Sequence, residues 1–299
     1  MTGRRRGERH RWGSLTRTSP AARRRIRVCY ALVVGENLFE LLWPFAIGLA
    51  IDGLIDDSWA GVGVFVALSL AHTAVAFVRQ RHQSRTFNPL YAGIAADLVE
   101  QQRGAGIDMA SVSGRTELAA EYVEFLDVDI PLSITAGFAV IGSLVMLFVY
   151  DPLVGAVAAA LAVPVTLLNR RLMARSGGLY HELNDLAEIE VDVIGRGQRT
   201  ESRRHFGIVG RRWVRLSDAE AASWGTVDVL SVGLWVFTLA RVTSGTIDVG
   251  ATIAMIAYVA FYTAGFEEVP GVLQRLTRLR DIKRRLDGPG SATPPERLP

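Results

Sequence analysis

Five residues in this sequence set a polar or ionisable side chain in apolar surroundings: Glu36, Asn37, Glu40, His72 and Asp228. Glu36 and Glu40 are four apart, so a helix puts both carboxylates on one face, with Asn37 beside them. Two carboxylates and a histidine can hold a cation or relay protons along a path through a membrane. They can equally serve as polar contacts between helices, with burial keeping a carboxyl neutral. Both readings stay open for Glu36 and Glu40. For Asp228, with Thr226 nearby, structural hydrogen bonding is the plainer use, and for His72 it is an interior position. Other chemistry lacks its groups. Cys29 is the only cysteine, which excludes an intrachain disulfide and a multi-cysteine metal site. His10, His72, His82, His181 and His205 show no metal-ligand spacing. No nucleophile and base stand in a catalytic constellation, so neither a catalytic residue nor a metal site is expected.

The surroundings of those residues define the class of protein. The chain has 299 residues, 49% hydrophobic and 21% charged, averages that suit an ordinary soluble domain. The charge is uneven, however. The stretches 28–51, 59–78, 131–150, 152–168, 221–240 and 249–266 contain Glu36, Glu40 and Asp228 and no other Asp, Glu, Lys or Arg. Each is close to the ~20 residues a helix needs to cross a bilayer. Helices satisfy their own backbone in lipid, so six such runs predict an all-α, polytopic membrane protein. Buried helices of a soluble protein usually keep a polar face, and these do not. A charge at mid-bilayer costs ~3 kcal/mol or more, which draws the three acids toward the bundle interior or a watery cavity. Pro44, just beyond Glu40, predicts a kink in the first span.

Basic residues give the orientation. Thirty-two of the 33 Lys and Arg fall in alternate non-spanning segments, 1–27, 79–130, 169–220 and 267–299; Arg241 is the exception. Arg-rich loops stay in the cytoplasm, so both termini are expected there. The intervening turns are acidic, with Asp52, Asp56, Asp57, Asp151 and Asp248. The ten arginines before residue 28 could be read as a nucleic-acid arm. Positive-inside charge touching anionic lipid headgroups is the better reading, and no nucleic-acid partner is expected. This segment is not a cleavable secretory signal, because its polar lead and its apolar run are both too long. The net charge of +3 thus reports topology rather than an acidic substrate. Arginine used almost to the exclusion of lysine points to a GC-rich bacterial genome, hence to a bacterial inner membrane.

The loops 79–130 and 169–220 have the same length and carry helical periodicity. Tyr91, Ile94, Ala95 and Leu98 recur in the first; Leu183, Leu186, Ile189, Val193 and Ile194 in the second, followed by Phe206, Val209, Trp213 and Leu216. Glycines mark their midpoints: Gly104 and Gly106, and Gly195 and Gly197 around Arg196. Glycine is poor inside a helix and good in a turn, so each loop reads as helix, turn, helix. Arms of ~25 residues would reach roughly 35 Å from the membrane. Small residues four apart, Ser133 and Gly137, and Ala156 and Ala160, predict close helix contacts. The expected organisation is an Arg-rich segment 1–25, a membrane domain 26–286 and a Pro/Gly-rich, disordered tail 287–299.

Over about residues 26–286 the layout resembles the transmembrane domain of ATP-binding-cassette (ABC) exporters of type I. Local passages carry the resemblance. They are Glu36-Asn37, Pro44, Gly48 and Ile51-Asp52-Gly53-Leu54 in the first span; Leu216-Ser217-Asp218-Ala219-Glu220-Ala221 before the fifth; and Val269-Pro270 and Arg278-Leu279-Arg280-Asp281-Ile282 after the sixth. Together they are similar to the branch of stand-alone six-transmembrane units. The resemblance implies a permease that works as a homodimer or heterodimer, with coupling helices at the loop tips docking on ATPase subunits. It makes Gly104, Gly106, Gly195, Arg196, Gly197, Arg199 and Arg203 the coupling candidates; a solvated basic loop is the plain alternative for the arginines. A phosphate-binding loop needs G-x-x-x-x-G-K-[ST], and the one lysine, Lys283, has no such context. ATP is therefore expected to act through a partner subunit, with no cofactor held by this chain. Two rivals remain: a non-transporting scaffold or regulator on the same fold, and an ion- or proton-coupled carrier using Glu36, Glu40 and His72.

Overall fold

The computed structural model describes residues 20–104, 109–244 and 248–287. Within them every regular element is helical. The helices are α1 (Pro20–Ile55), α2 (Ala60–Gly104), α3 (Met109–Glu124), α4 (Ile130–Gly137), α5 (Ser143–Tyr150), α6 (Pro152–Arg196), α7 (Arg199–Thr243) and α8 (Val249–Asp287). Two π-helical turns, Phe125–Asp129 and Phe138–Gly142, join α3 to α4 and α4 to α5, so these three form one chain of helix. Six helical stretches are long and apolar enough to cross a membrane: Pro20–Ile55, Ala60–Glu100, Ala119–Tyr150, Pro152–Leu179, Arg199–Thr243 and Val249–Glu268. Five of the predicted spans fall inside them and the second misses by one residue, Trp59, and the helices run on well past the apolar segments. The protein is a multi-pass membrane protein. The predicted N-terminal segment is helical from Pro20; its earlier part, the tail 288–299 and Gly106 lie outside the described residues.

The chain divides into two compact units. The first takes α1 up to Glu40, Val66–Thr135 and the part from Gly271; the second takes Leu41–Phe65 and Ala136–Pro270. The first is held by Cys29, Phe87 and Val123, with Ile26, Leu90 and Ile94 packed against them. Its rod passes through the π turn Phe125–Asp129, where the wider winding leaves carbonyls without their usual donor. Side chains from other helices supply donors: Tyr30 Oη donates to the Leu126 carbonyl at 3.0 Å, and Gln83 Nε2 to the Asp127 carbonyl at 2.7 Å.

The second unit is built around α8. Of the most apolar window in Val249–Glu268, 44% is buried, against 6% in Ala60–Glu100, so α8 is the enclosed helix and α2 the one left to lipid. Tyr258 and Tyr262, one turn apart, are fully buried and each uses its hydroxyl. Tyr262 donates to the Ala158 carbonyl at 2.6 Å, and Tyr258 to the Leu41 carbonyl at 2.8 Å. Leu41 lies in the turn that Pro44 opens, since a proline has no N–H for the preceding turn. Close backbone approach fixes α1 against α8: a Cβ on Gly48 would meet the Gly250 carbonyl oxygen at 2.6 Å. There the Asp52 carboxylate accepts the Gly250 N–H at 2.7 Å, one of the donors a helix start leaves free. Asp151 does the same for α6, accepting from Leu153 and Val154, and its other oxygen lies 2.9 Å from Arg241 Nε.

The contacts expected from small residues are different ones. Gly137 has open space where a Cβ would be, and Ala156 and Ala160 are exposed. The tight approaches use Gly48, Gly61, Gly142, Gly155 and Gly265 instead. The stripe expected in the second hairpin is kept in part: Leu216 faces inward, while Phe206 and Trp213 are exposed and His205, outside that stripe, is buried. Arg212, next to Trp213, reaches Glu182 on α6 at 2.9 Å.

Gly48→Ala should lower the thermal midpoint of the protein in nanodiscs by several degrees, the overpacking cost being about 1–3 kcal/mol. Gly63→Ala, with nothing within 4 Å of the added carbon, should leave it level or slightly raised.

Candidate functional site

In the first unit the polar residues form a chain of contacts. Glu36 on α1 is engaged by Arg79 on α2: Arg79 Nε closes on Glu36 Oε2, and a second guanidinium nitrogen reaches Oε1 at 3.3 Å. Arg79 also donates to Gln83 Oε1 at 2.6 Å. Gln83 passes the link on, donating to the Asp127 carboxylate at 2.8 Å as well as to its carbonyl. An acid, a base, an amide and a second acid thus tie α1, α2 and the π turn together. The side chains of Arg79 and Glu36 are 22% and 17% exposed, so the pair is weakly screened.

This arrangement gives Glu36 a partner that the sequence reading did not supply. Arg79 stands one residue beyond the predicted second span and was counted as loop charge. Its long side chain returns along the helix toward Glu36. Glu36 and Glu40 therefore do not act alike. Glu40 is exposed and, among the described residues, makes no hydrogen bond or ion pair. Asn37 is buried and donates to the Val33 carbonyl of its own helix at 2.8 Å. His72 is half-buried and is bonded to neither glutamate among the described residues.

Asp228 belongs to the second unit and to a separate cleft. Thr226 donates to Ala222 of its own turn, not to Asp228. Asp228 instead lines a cleft with Asn169, Ser223, Trp224, Phe266 and Glu267. Glu267 directly follows the predicted sixth span and Asn169 the fourth, and neither stood out in the sequence by residue type.

The coupling candidates of the second hairpin sit at its tip. α6 ends at Arg196, and Gly197 takes the left-handed conformation, φ 65°, before Gln198 starts α7 at Arg199. Only glycine adopts that backbone without strain, so Gly197 makes the turn. Gly195 is still helical. Arg196, Arg199 and Arg203 are exposed, and Arg196 pairs with Glu201 across the turn at 3.0 Å. In the first hairpin Gly104 is the last residue of α2.

Six membrane-crossing helices, and a tight hairpin tip between two helices of 45 residues each, match the architecture expected of one family. The sequence itself matches the family described as ABC transporter transmembrane region over residues 15–252. The chain belongs to this family. A search of curated proteins finds no match. As an ABC transporter membrane region, the chain is a membrane transport component, and α6 and α7 are its long extended pair. Among the described residues no group of three or more His, Cys, Asp and Glu could hold a metal ion.

Breaking the Glu36–Arg79 pair should leave a charge unpaired in a half-buried place. Arg79→Met and Glu36→Gln should each destabilise by about 1–3 kcal/mol. The double variant should lose less than the sum of the two, as a double-mutant cycle of denaturation in mixed micelles would show.

Proposed function

We propose that the chain is the permease subunit of an exporter-type ABC transporter, drawing on ATP hydrolysed by a nucleotide-binding partner outside residues 1–299. Two copies, or this chain and a related one, enclose the pathway. The chain itself catalyses nothing and meets ATP only through that partner. The observation that carries the reading is the α6–α7 hairpin on a chain of this family. It is an unbroken pair of helices closed by Gly197, with exposed arginines at its tip. A protruding basic tip offers a rigid feature for an ATPase surface to grip. The arginine distribution supports a cytoplasmic tip and cytoplasmic termini in a bacterial inner membrane, the side where ATP is.

Two other readings gain less. An ion-coupled carrier on Glu36, Glu40 and His72 needs them to act together, and Glu36 is engaged by Arg79 while His72 is bonded to neither glutamate among the described residues. A scaffold on the same fold has no need of a stiff, glycine-turned hairpin.

The tip gives the test. Cys29 is buried, so Gln198→Cys provides an accessible thiol for cross-linking. The tagged chain in mild detergent should bring down a nucleotide-binding subunit, cross-link to it through position 198, and raise its ATPase rate. Gly197→Val, which strains the left-handed turn, should cut that stimulation at least tenfold while the melting temperature changes little. Purification free of any nucleotide-binding subunit, with no ATPase stimulation by the chain, would overturn the reading.

A further inference from the structure

From Pro20 to Gly35 on α1, and from Ala60 to Ala96 on α2, the sequence contains no Asp or Glu, and its fixed charges are all arginines. Arg79 is turned to Glu36. Arg24, Arg25, Arg27, Arg81 and Arg85 are exposed, and among the described residues their guanidiniums enter no ion pair. All of them belong to the first unit. One contact brings the two groups together: His82 Nε2 donates to the Arg25 carbonyl at 3.1 Å. The turn of α1 that carries Arg24, Arg25 and Arg27 thus lies beside the turn of α2 that carries Arg81 and Arg85. Arg85 is three residues beyond His82, so it shares the side of α2 that meets α1. Like charges gathered without an acid repel one another, and an anion among them relieves that repulsion.

Depth and apolar neighbours narrow the anion. Arg27 directly precedes the predicted span 28–51, and Arg81 follows the span 59–78 by three residues. At about 1.5 Å per residue both stand in the headgroup layer, which is roughly 5–7 Å deep on each side. Arg85 is further out, and an arginine side chain is long enough to reach back to that layer. On the membrane side of these arginines, Val28, three residues from Arg25, and Val78, three residues from Arg81, are 41% and 51% exposed. Guanidiniums beside exposed apolar surface at this depth fit an amphiphile with a phosphate head and acyl tails. A nucleic acid would leave the valines bare.

We propose that the seam between α1 and α2 binds an anionic phospholipid. Its phosphodiester lies over Arg25 and Arg85, with Arg24, Arg27 and Arg81 around it, and its acyl chains follow Val28 and Val78. The planar fork of arginine matches two phosphate oxygens at once. A zwitterionic lipid brings its own ammonium toward the same arginines and is disfavoured. Arg81 and Arg85 read as loop charge in the sequence; with the Arg-rich start of α1 they complete a site through which a lipid joins two helices of the first unit.

The full chain, delipidated in dodecyl maltoside, is titrated with phosphatidylglycerol, and lipid adducts are read by native mass spectrometry. Binding should saturate, and phosphatidylcholine should bind at least tenfold more weakly. Arg25→Gln/Arg85→Gln should lose at least tenfold in affinity for phosphatidylglycerol. Arg25→Lys/Arg85→Lys, which keeps both charges, should recover most of that loss, which separates a charge effect from a folding defect. Arg204→Gln/Arg211→Gln removes the same charge from exposed positions on α7, the nearer of them ten residues before the span 221–240, and should change the affinity less than twofold. A twelve-base oligothymidylate should bind at least tenfold more weakly than the lipid. Equal affinity for phosphatidylcholine, no loss in the glutamine pair, no recovery in the lysine pair, an equal loss in the α7 pair, or tighter binding of the oligonucleotide would overturn the proposal. The measurement involves neither nucleotide nor transport, so its failure leaves the permease reading standing.

Discussion

A helix in hydrocarbon cannot leave a backbone carbonyl unpaired, because no water is there to take the bond. Three side-chain hydrogen bonds between helices in this protein meet carbonyls at irregular turns. Pro44 has no N–H for the Glu40 carbonyl, and in the same turn the Tyr258 hydroxyl donates to the neighbouring Leu41 carbonyl. The π turn at Phe125–Asp129 disturbs the ladder of its rod, and Tyr30 and Gln83 donate to Leu126 and Asp127. Each irregularity therefore demands a polar side chain from another helix at one height. That demand fixes register between helices whose apolar surfaces could otherwise slide, since packing against lipid and packing against leucine differ little.

The same side chains settle the charges. Gln83, called up by the π turn, also holds Arg79, and Arg79 holds Glu36. A carboxylate in the first span is thereby neutralised through a bond network that begins as backbone repair. In the second unit Asp151 caps α6 with one oxygen and faces Arg241 with the other. Arg241 is the one basic residue in the acidic group of turns. Its placement there becomes tolerable because its partner is 5% exposed and already fixed by the cap.

Composition along the chain was enough for the six spans and the helical hairpins, because each depends on many residues averaged over ~20 positions; the family rested on that layout together with short local passages. The paired loops were legible for the same reason. Single contacts were not. Arg79 looked like loop charge because a sequence does not show how far a long side chain bends back. The residues Ser133, Gly137, Ala156 and Ala160 had the right spacing for close packing, yet the approaches fell at Gly48 and Gly250, where two helices far apart in sequence cross. Spacing within one helix says which residues share a face and nothing about which helix that face meets. The α7 stripe was misread in part for a related reason: the aromatics Phe206 and Trp213 outweighed His205 in apolarity, yet His205 is the buried one.

The hairpin and the cleft are joined by the helices that build both. α6 and α7 run without a break from the tip at Gly197 into the membrane, and both lie within one compact unit. From the tip to Asn169 along α6 is 28 residues, roughly 40 Å. Cross-links between the arms, Arg212 with Glu182 and His205 near Glu190, keep the two helices from sliding past each other. A push at the tip can then be absorbed only where a helix bends. α7 has no proline, whereas α6 carries Pro164, five residues before Asn169. Bending would concentrate at that point and would turn Asn169 relative to Asp228 on the proline-free α7. The cleft thus stands at the base of the lever, where a movement of the tip changes its walls most.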